Sequence, residues 1–519
     1  MGSAGGAPAL VSSWCFAPYR RLDKVDSPAP LTAPGTRLRG GAPERLDRAA
    51  GHLATAALAL IAVKPLLDIG ERDAGGGVDL GVLLSAVGAG CMLAALAAAV
   101  LAARRLPPRP VQAMLLALAL LLVVSGFSYL AAGPRADLLA LFDIRRYPIY
   151  GPRLDPATAI PAEAVRLLVS FAPVALIGMA LMRPARFPVR RLAVVAAVVL
   201  AGAVVHCALA WLQVAGVVPY SFYFELPGQK IGRASGGYYH PMSLGRLLMF
   251  SVFLCYVLGD RLGLPGGRLR LTPLRRYALV GLFVATGAVS LHRLTIGCLL
   301  VIVAAFEARR LGALRATLRT RVGRRRVVAV AAGLVAAGGV AVALAGDAVR
   351  ERAGVALTEV GSLDVRSDTF MHGRGAIWND VARVLHRSTP DVWLFGFGYE
   401  PWDMHNDLLR VLVVWGVVGL VAVVGIVAGL YVVVRRWCVD PAQRWALGVL
   451  YAVFVLFGLT QKPMAYPYFM WLFLFGQLVI LSLGGATGTS SGDATVTADV
   501  ERGEEGRLDE ASTAGVRPG

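Results

Sequence analysis

Histidine and arginine side chains occur together at several points beside long apolar segments. The residues concerned are Arg233, His240, His292, Arg293, Arg374, His405, Asn406 and Arg410. A histidine can accept a proton at neutral pH. An arginine binds phosphate oxygens through paired, charge-assisted hydrogen bonds, which a low-dielectric surrounding strengthens. These residue types together predict proton transfer beside a phosphate-bearing substrate.

Several polar residues also have a plainer structural explanation. Basic side chains at helix ends can extend to the membrane surface as interface anchors. This applies to Arg166, Arg246, Arg410 and Lys462. Lys64 and Asp68 have the i,i+4 spacing of a helical ion pair, and Asn406 can cap the helix that follows it. His206 lies within an apolar segment, and we interpret it as a satisfied core histidine.

The apolar segments that carry these residues are long enough to cross a membrane, which takes about 20 residues. We predict twelve spans, at about residues 49–68, 79–103, 110–132, 163–182, 192–217, 242–260, 277–291, 294–308, 327–345, 408–434, 445–461 and 467–484. The seventh and eighth spans come from one apolar stretch that His292 and Arg293 interrupt. A single helix there would bury Arg293 within the membrane at a cost of several kcal/mol. Two helices place that arginine at a surface.

The distribution of arginine predicts the orientation of these spans. The loops that follow the second, fourth, sixth, eighth and tenth predicted spans are rich in arginine, which is typical of cytoplasmic loops. Both termini are therefore predicted to be cytoplasmic, and the histidine–arginine clusters to lie at the outer face. The longer outer loops fall near 133–162, 218–241 and 346–407. Apolar residues at helical spacing predict an amphipathic helix in the largest loop; they are Ile377, Val381, Val384 and Leu385.

Composition places the chain among membrane proteins. Of its 519 residues, 56% are hydrophobic and 16% are charged, whereas soluble domains have about a quarter charged residues. We predict an all-α, polytopic membrane domain at 49–484, between disordered cytoplasmic tails at 1–48 and 485–519. The net charge of +19 lies in short loops, so we exclude nucleic acid as a partner. The six cysteines have neither metal-ligand nor disulfide spacing, and we predict no metal and no cofactor.

Three stretches, in this order, resemble a known family. They are Gly232-Arg-Ala-Ser-Gly-Gly-Tyr-Tyr-His-Pro241, then His292-Arg-Leu-Thr295, then Gly373-Arg-Gly-Ala-Ile-Trp378 with Phe395-Gly-Phe-Gly398 and His405-Asn-Asp-Leu-Leu409. This ordered set, from about residue 190 to 480, is similar to the O-antigen ligase and polysaccharide polymerase family of bacterial membrane glycosyltransferases.

The resemblance implies metal-independent transfer of a glycan from a polyprenyl diphosphate carrier to an acceptor hydroxyl, outside the cytoplasmic membrane. The partners would be that donor and a glycan or lipid-linked acceptor. His405 would be the catalytic base, and Arg233 and Arg293 would bind the diphosphate. Arg374 would be a further anion contact or a loop organiser. The residues in supporting positions are His240, His292, Asn406 and Arg410.

The sequence departs from the family pattern at two positions. His292 stands where the family commonly has serine, so it is either a neutral replacement or a second acid–base candidate. Met242 follows Pro241 where asparagine is common, which removes one polar contact.

The main alternative is a transporter or flippase of lipid-linked sugars. Such proteins tend to bind substrate near the membrane midplane, between repeated halves with broken helices. The sequence shows neither feature, so we favour the transferase. A ligase and a polymerase both fit this sequence pattern.

Overall fold

The computed structural model describes residues 42–68, 80–133, 155–226, 228–262, 271–314, 374–401 and 403–485, together with residues 347, 351 and 354. The longer helices in these ranges are α1 (Ala42–Leu67), α2 (Leu80–Ala103), α3 (Arg109–Leu130), α4 (Pro156–Phe171), α5 (Val174–Met182), α6 (Val189–Val214), α7 (Pro241–Leu258), α8 (Pro273–Val289), α9 (Arg293–Leu314), α10 (Arg374–Arg387), α11 (Pro390–Phe395), α12 (Asp407–Trp437), α13 (Pro441–Thr460) and α14 (Pro467–Gly485). Short 3₁₀ turns occur at Pro184–Arg186, Gly259–Arg261 and Pro463–Ala465. Strands β1 (Phe222–Leu226) and β2 (Gln229–Arg233) form an antiparallel hairpin.

The fold is that of a helical, multi-pass membrane protein, as predicted. Within the described ranges, eight helical segments are long and apolar enough to cross a membrane: α1, α2, α3, α4 with α5, α6, α7, α12 and α13. The apolar part of α14, Pro467–Leu483, is shorter. The predicted number of twelve is not confirmed, since α8, α9 and α14 are not among the eight. The span predicted at 327–345 lies outside the described residues.

The helix boundaries refine the predicted organisation at two places. Residues 42–48, which were predicted to belong to the tail, are helical and form part of α1. The predicted fourth span is present as the apolar segment Pro156–Met182, in which α4 ends at Phe171 and α5 begins at Val174. The predicted break near residue 292 is confirmed, since α8 ends at Val289 and α9 begins at Arg293. The predicted tails otherwise lie outside the described residues.

Helix α7 is the most deeply buried of the eight spans, with 89% of its apolar window inside the protein. A helix that is apolar on every side is suited to a central position, and α6, α8, α9 and α14 all pack against α7. The site residue His240 directly precedes this helix. The position of His240 is therefore fixed by the start of the most deeply buried helix.

Two polar groups inside the bundle have the structural roles predicted for them. The Lys64 ammonium lies 2.8 Å from the Asp68 carboxylate, so the i,i+4 ion pair is confirmed. His206 is fully buried in α6, and both of its ring nitrogens contact backbone carbonyl oxygens, those of Pro65 and Gly236. The interpretation of His206 as a satisfied core histidine is therefore confirmed.

The described part of the predicted outer loop 346–407 packs against a kink in α12. The amphipathic helix is present as α10, and its four predicted apolar residues are all buried. At the kink Gly416 has a φ of 65°, which glycine adopts without steric cost. The N–H groups of Phe397 and Gly398 donate to the carbonyls of Val413 and Val414, at 2.7 and 2.8 Å. The loop therefore satisfies carbonyl groups that the kink removes from the helix.

Candidate functional site

His405 and Asn406 lie directly before α12. The side-chain oxygen of Asn406 accepts a hydrogen bond from the Leu409 N–H at 2.9 Å, which satisfies a backbone donor that the helix start leaves unpaired. Its amide group also donates to the Leu459 carbonyl at 3.0 Å. Asn406 is thus the helix cap, and it attaches the start of α12 to the end of α13.

The backbone of His405 is held in a left-handed conformation, with a φ of 46°. Its N–H donates to the Asp403 carboxylate at 3.3 Å. The N–H of Met404 donates to Glu400 at 2.9 Å, and the Met404 carbonyl accepts from the Trp378 indole at 2.9 Å. These contacts fix the chain on the N-terminal side of His405, and with it the direction of the imidazole.

A buried ion network underlies the loop that leads into α12. The Arg410 guanidinium pairs with Glu163 of α4 and, at 3.1 Å, with Glu400. The Lys462 ammonium lies 3.0 Å from Glu400 and 3.1 Å from Asp403. Arg410 is only 1% exposed, and removing one partner from such a pair costs about 3–5 kcal/mol. Arg410 therefore supports the site by holding carboxylates, and it is not an interface anchor.

The surroundings of His405 keep its imidazole neutral. Burial lowers the pKa of His405 to about 4; the Asp403 carboxylate opposes this change, while Arg374 and Lys462 add to it. A neutral imidazole can accept a proton. The Asp403 carboxylate lies 3.6 Å from Nδ1 and favours the tautomer with the proton there, which makes Nε2 the proton acceptor.

Arg233 ends β2 and lies against the break between α8 and α9. Its Nε and Nη2 donate to the carbonyls of Ser290 and Leu291, both at 3.3 Å, where the helix dipole favours a positive charge. The guanidinium also lies 5.3 Å from the ring centre of Phe222, whose ring is 4.7 Å from that of His240. The hairpin therefore joins Arg233 and His240 to the break.

His240 and His292 each cap the helix that follows. Nδ1 of His240 accepts from the Met242 N–H at 3.0 Å. Nδ1 of His292 accepts from the Thr295 N–H at 3.3 Å. A serine commonly fills this capping position, so the structure favours His292 as a neutral replacement for it. With Nδ1 accepting, each neutral ring has its proton on Nε2 and can donate a hydrogen bond there.

The charged groups that shift the pKa values of His240, His292 and His405 show which residues the fold brings close together. Burial lowers the pKa of His240 to about 4, and the charges of Arg233 and His405 contribute. Burial also lowers the pKa of His292 well below its usual value, and the charge of Arg374 contributes. The residues that interact in this way are Arg233, His240, Arg246, His292, Arg374 and His405.

Three helices begin at this cluster or directly beside it: α7 after His240, α9 at Arg293 and α12 after Asn406. The described part of a fourth helix, α10, starts with Arg374. The start of a helix has a partial positive charge, so an arginine in the first position does not stabilise the helix. Arg293 nevertheless occupies that position. Helix starts with nearby arginines are well suited to binding an anion.

Sequence reasoning missed two of the three acidic residues of the ion network, Glu163 and Glu400. Glu163 has only 5% of its surface exposed, and a carboxylate at the start of an apolar span is costly without a partner. That signal was present beside Arg166, whose guanidinium lies 2.5 Å from Glu163. Glu400 lies in a loop, and nothing in its sequence context distinguishes it.

No family model and no curated protein matches the chain. Among the described residues, no group of three or more histidine, cysteine or acidic side chains is arranged to hold a metal ion. The family resemblance and metal independence therefore stay predictions.

Proposed function

We propose that this protein transfers a glycan from a polyprenyl diphosphate carrier to an acceptor hydroxyl at the outer face of the cytoplasmic membrane, as a ligase or a polymerase. The observation that carries the proposal is the set of three helix starts, those of α7, α9 and α12, beside clustered arginines and histidines. Such a cluster stabilises a diphosphate more strongly than a neutral ligand. The order of the sequence motifs supports the same function.

In the proposed reaction the acceptor oxygen attacks the anomeric carbon of the donor sugar. The bond from that carbon to the diphosphate oxygen breaks, and the electron pair leaves with the diphosphate. Nε2 of His405 takes the acceptor proton. Arg233, Arg293 and Arg374 stabilise the negative charge that grows on the departing diphosphate, and this lowers the barrier because that charge is greatest in the transition state. Attack opposite the leaving group would invert the anomeric centre, which linkage analysis of the product tests.

The decisive experiment uses purified protein in detergent micelles, with a lipid-linked glycan donor and an acceptor. A micelle has no second compartment, so a transporter or flippase forms no product there. We expect wild-type protein to form product, and His405→Ala to lose about 10²–10⁴-fold in rate, which is the usual contribution of a general base. Arg293→Ala is expected to show a comparable loss.

His386→Ala and Arg387→Ala are the matched controls, since both residues are exposed on α10; each is expected to retain full activity. In a deletion strain, wild type should restore mature polymer, whereas the two site variants should insert normally and accumulate carrier-linked glycan. Normal product from both site variants would mean that the site is wrong. Absence of product from wild-type protein in micelles, with polymer restored in cells, would favour a transporter.

A further inference from the structure

A cavity of about 490 Å³ lies at the opposite end of the helices from His405. It is lined by the end of α7, the first turn of α8, the end of α9, the start of α13 and the end of α14. Helix α7 starts after His240, and α12 starts after His405 and Asn406. The cavity lies at the other end of these helices, where α7 ends and the loop after α12 leads into α13. Its volume is in the usual range for ligand pockets, about 300–1,000 Å³.

Four arginines line this cavity and make it strongly cationic. They are Arg261, Arg276, Arg309 and Arg310. The nearby acids are already engaged: the Asp440 carboxylate accepts the Ala442 N–H at 2.7 Å, and the Glu307 carboxylate lies 3.2 Å from Arg310. Among the side chains that the structure describes here, four positive charges face two negative ones, so this part of the cavity has an excess of positive charge suited to an anion.

Of these four arginines, Arg276 has a buried hydrogen-bond donor that no described residue satisfies. Its Nε is buried and has no hydrogen-bond partner among the described residues. A buried donor without a partner is costly, and native structures usually satisfy it with a ligand or water. The Nη1 atom lies 3.2 Å from where a Cβ would stand at Gly259, so the glycine leaves room for the guanidinium.

The remaining walls of the cavity are aromatic and apolar. The rings of Tyr256 and Phe306 stack at 4.9 Å, and the Arg310 guanidinium lies 5.1 Å from the centre of the Tyr256 ring. Ile480 of α14 adds an apolar surface, and Trp445 is 43% exposed at the cavity. A ligand that fits has both a negative headgroup and an apolar chain.

We infer that this cavity binds the phosphate headgroup of an anionic phospholipid, with an acyl chain along the apolar wall. The helix ends that form it lie on the side that the arginine pattern predicts to be cytoplasmic. Basic pockets between helix ends on that side of a membrane are suited to anionic lipid headgroups. The site is separate from the proposed glycan transfer and does not depend on it.

Native mass spectrometry of the full chain in detergent tests the assignment. Phosphatidylglycerol is titrated into wild type, Arg276→Gln and Arg275→Gln; Arg275 is the exposed neighbour that does not line the cavity. We expect Arg276→Gln to bind about tenfold more weakly, the effect of losing one charged hydrogen bond, and Arg275→Gln to match wild type. Arg276→Lys, which keeps the charge, is expected to retain part of the affinity.

Two further arms distinguish the sources of the phosphate group. Phosphatidylcholine with the same acyl chains should bind more weakly than phosphatidylglycerol, and inorganic phosphate should not displace the lipid. Equal binding of the two lipids, equal affinity in the Arg275 and Arg276 variants, or full displacement by phosphate would each overturn the assignment.

Fluorescence gives a second test that does not alter the arginines. Brominated phosphatidylglycerol should quench part of the tryptophan emission, and Trp445→Phe should remove that part. Quenching that is the same in Trp445→Phe as in wild type would place the lipid elsewhere.

Discussion

His405 combines a strained backbone with a partly buried imidazole, and neighbouring residues compensate for both. A left-handed conformation in a residue other than glycine costs about 1–3 kcal/mol and persists only where the surroundings impose it. Here the Asp403 carboxylate accepts the His405 N–H on one side, and the Asn406 cap starts α12 on the other. Strain of this kind is concentrated at functional sites, and at His405 it fixes the direction of a side chain proposed to act as a base.

The lowered pKa of His405 predicts an unusual pH profile. Burial lowers this pKa to about 4, whereas an unperturbed histidine titrates near about 6.5. A base works only when deprotonated, so activity is retained above the pKa and lost as the pH falls through it. We expect kcat/KM, which reports on the free enzyme, to stay level from about pH 8 to pH 5 and then fall. Asp403→Asn removes a charge that raises the pKa, so it should shift the acid limb to lower pH. An acid limb centred near pH 6.5 in wild type would contradict the role given to His405.

At the residue scale, sequence could predict the chemical types at the site but not how they are paired. Arginines and histidines beside apolar spans are conspicuous because they are costly there, so Arg233, His240 and His405 could be identified. The pairing of Arg410 with Glu163 joins residues 247 positions apart, and local spacing contains no signal for such a contact. For the same reason the sequence left open whether Arg410 is an interface anchor or a supporting residue of the site, and its burial against Glu163 and Glu400 excludes the anchor.

At the element scale, the contact between the loop after α11 and the kink in α12 places His405. Two glycines allow it: a Cβ on Gly396 would lie 2.4 Å from the Val414 carbonyl oxygen, and a Cβ on Gly416 would lie 2.3 Å from the Leu394 carbonyl carbon. Both have a positive φ. The two backbones therefore approach more closely than any side chain would permit, and α12 starts at a fixed position relative to the loop.

Replacement of Gly416 by alanine should disrupt this contact. The strained φ alone costs about 1–3 kcal/mol, and the clash with backbone atoms of Leu394 and Phe395 adds to it. We expect a lower thermal unfolding midpoint in detergent, together with reduced transfer activity because the start of α12 moves. Gly425→Ala is the matched control, since that glycine lies in the same helix with nothing within 4 Å of a Cβ. It should match wild type, and equal behaviour of the two variants would show that the kink does not position the site.

The elements themselves were predictable where a polar residue interrupts an apolar run. The break between α8 and α9 was predicted from His292 and Arg293 because a single helix would have buried a charge. The break between α4 and α5 has no charge to reveal it, and Pro173 inside the apolar run was its only signal. The hairpin of β1 and β2 was missed, although Phe222-Tyr-Phe224 followed by Pro227-Gly228 is a strand-and-turn pattern.

At the scale of the whole molecule, two cationic regions lie at opposite ends of the same helices. Helix α7 has 18 residues, which at 1.5 Å per residue span about 27 Å, close to the thickness of the apolar membrane core. His240 and the histidines and arginines around it lie at the start of α7, and the cavity lined by arginines lies at its end. A single membrane orientation therefore assigns both sites at once: if the first faces outward, the second contacts the inner leaflet.

Cysteine labelling in intact spheroplasts tests this orientation. Lys230 lies in the hairpin that holds Arg233 and has 73% of its side chain exposed, and Arg275 is exposed beside the cavity. In a chain without Cys15 and Cys91, the remaining cysteines are buried, so a membrane-impermeant maleimide should react only with an introduced cysteine. We expect Lys230→Cys to react in intact spheroplasts and Arg275→Cys only after permeabilisation. Because the two positions flank opposite ends of the same bundle, the reverse result would place the histidine cluster in the cytoplasm. Donor and acceptor would then have to be cytoplasmic, and transfer at the outer face would be ruled out.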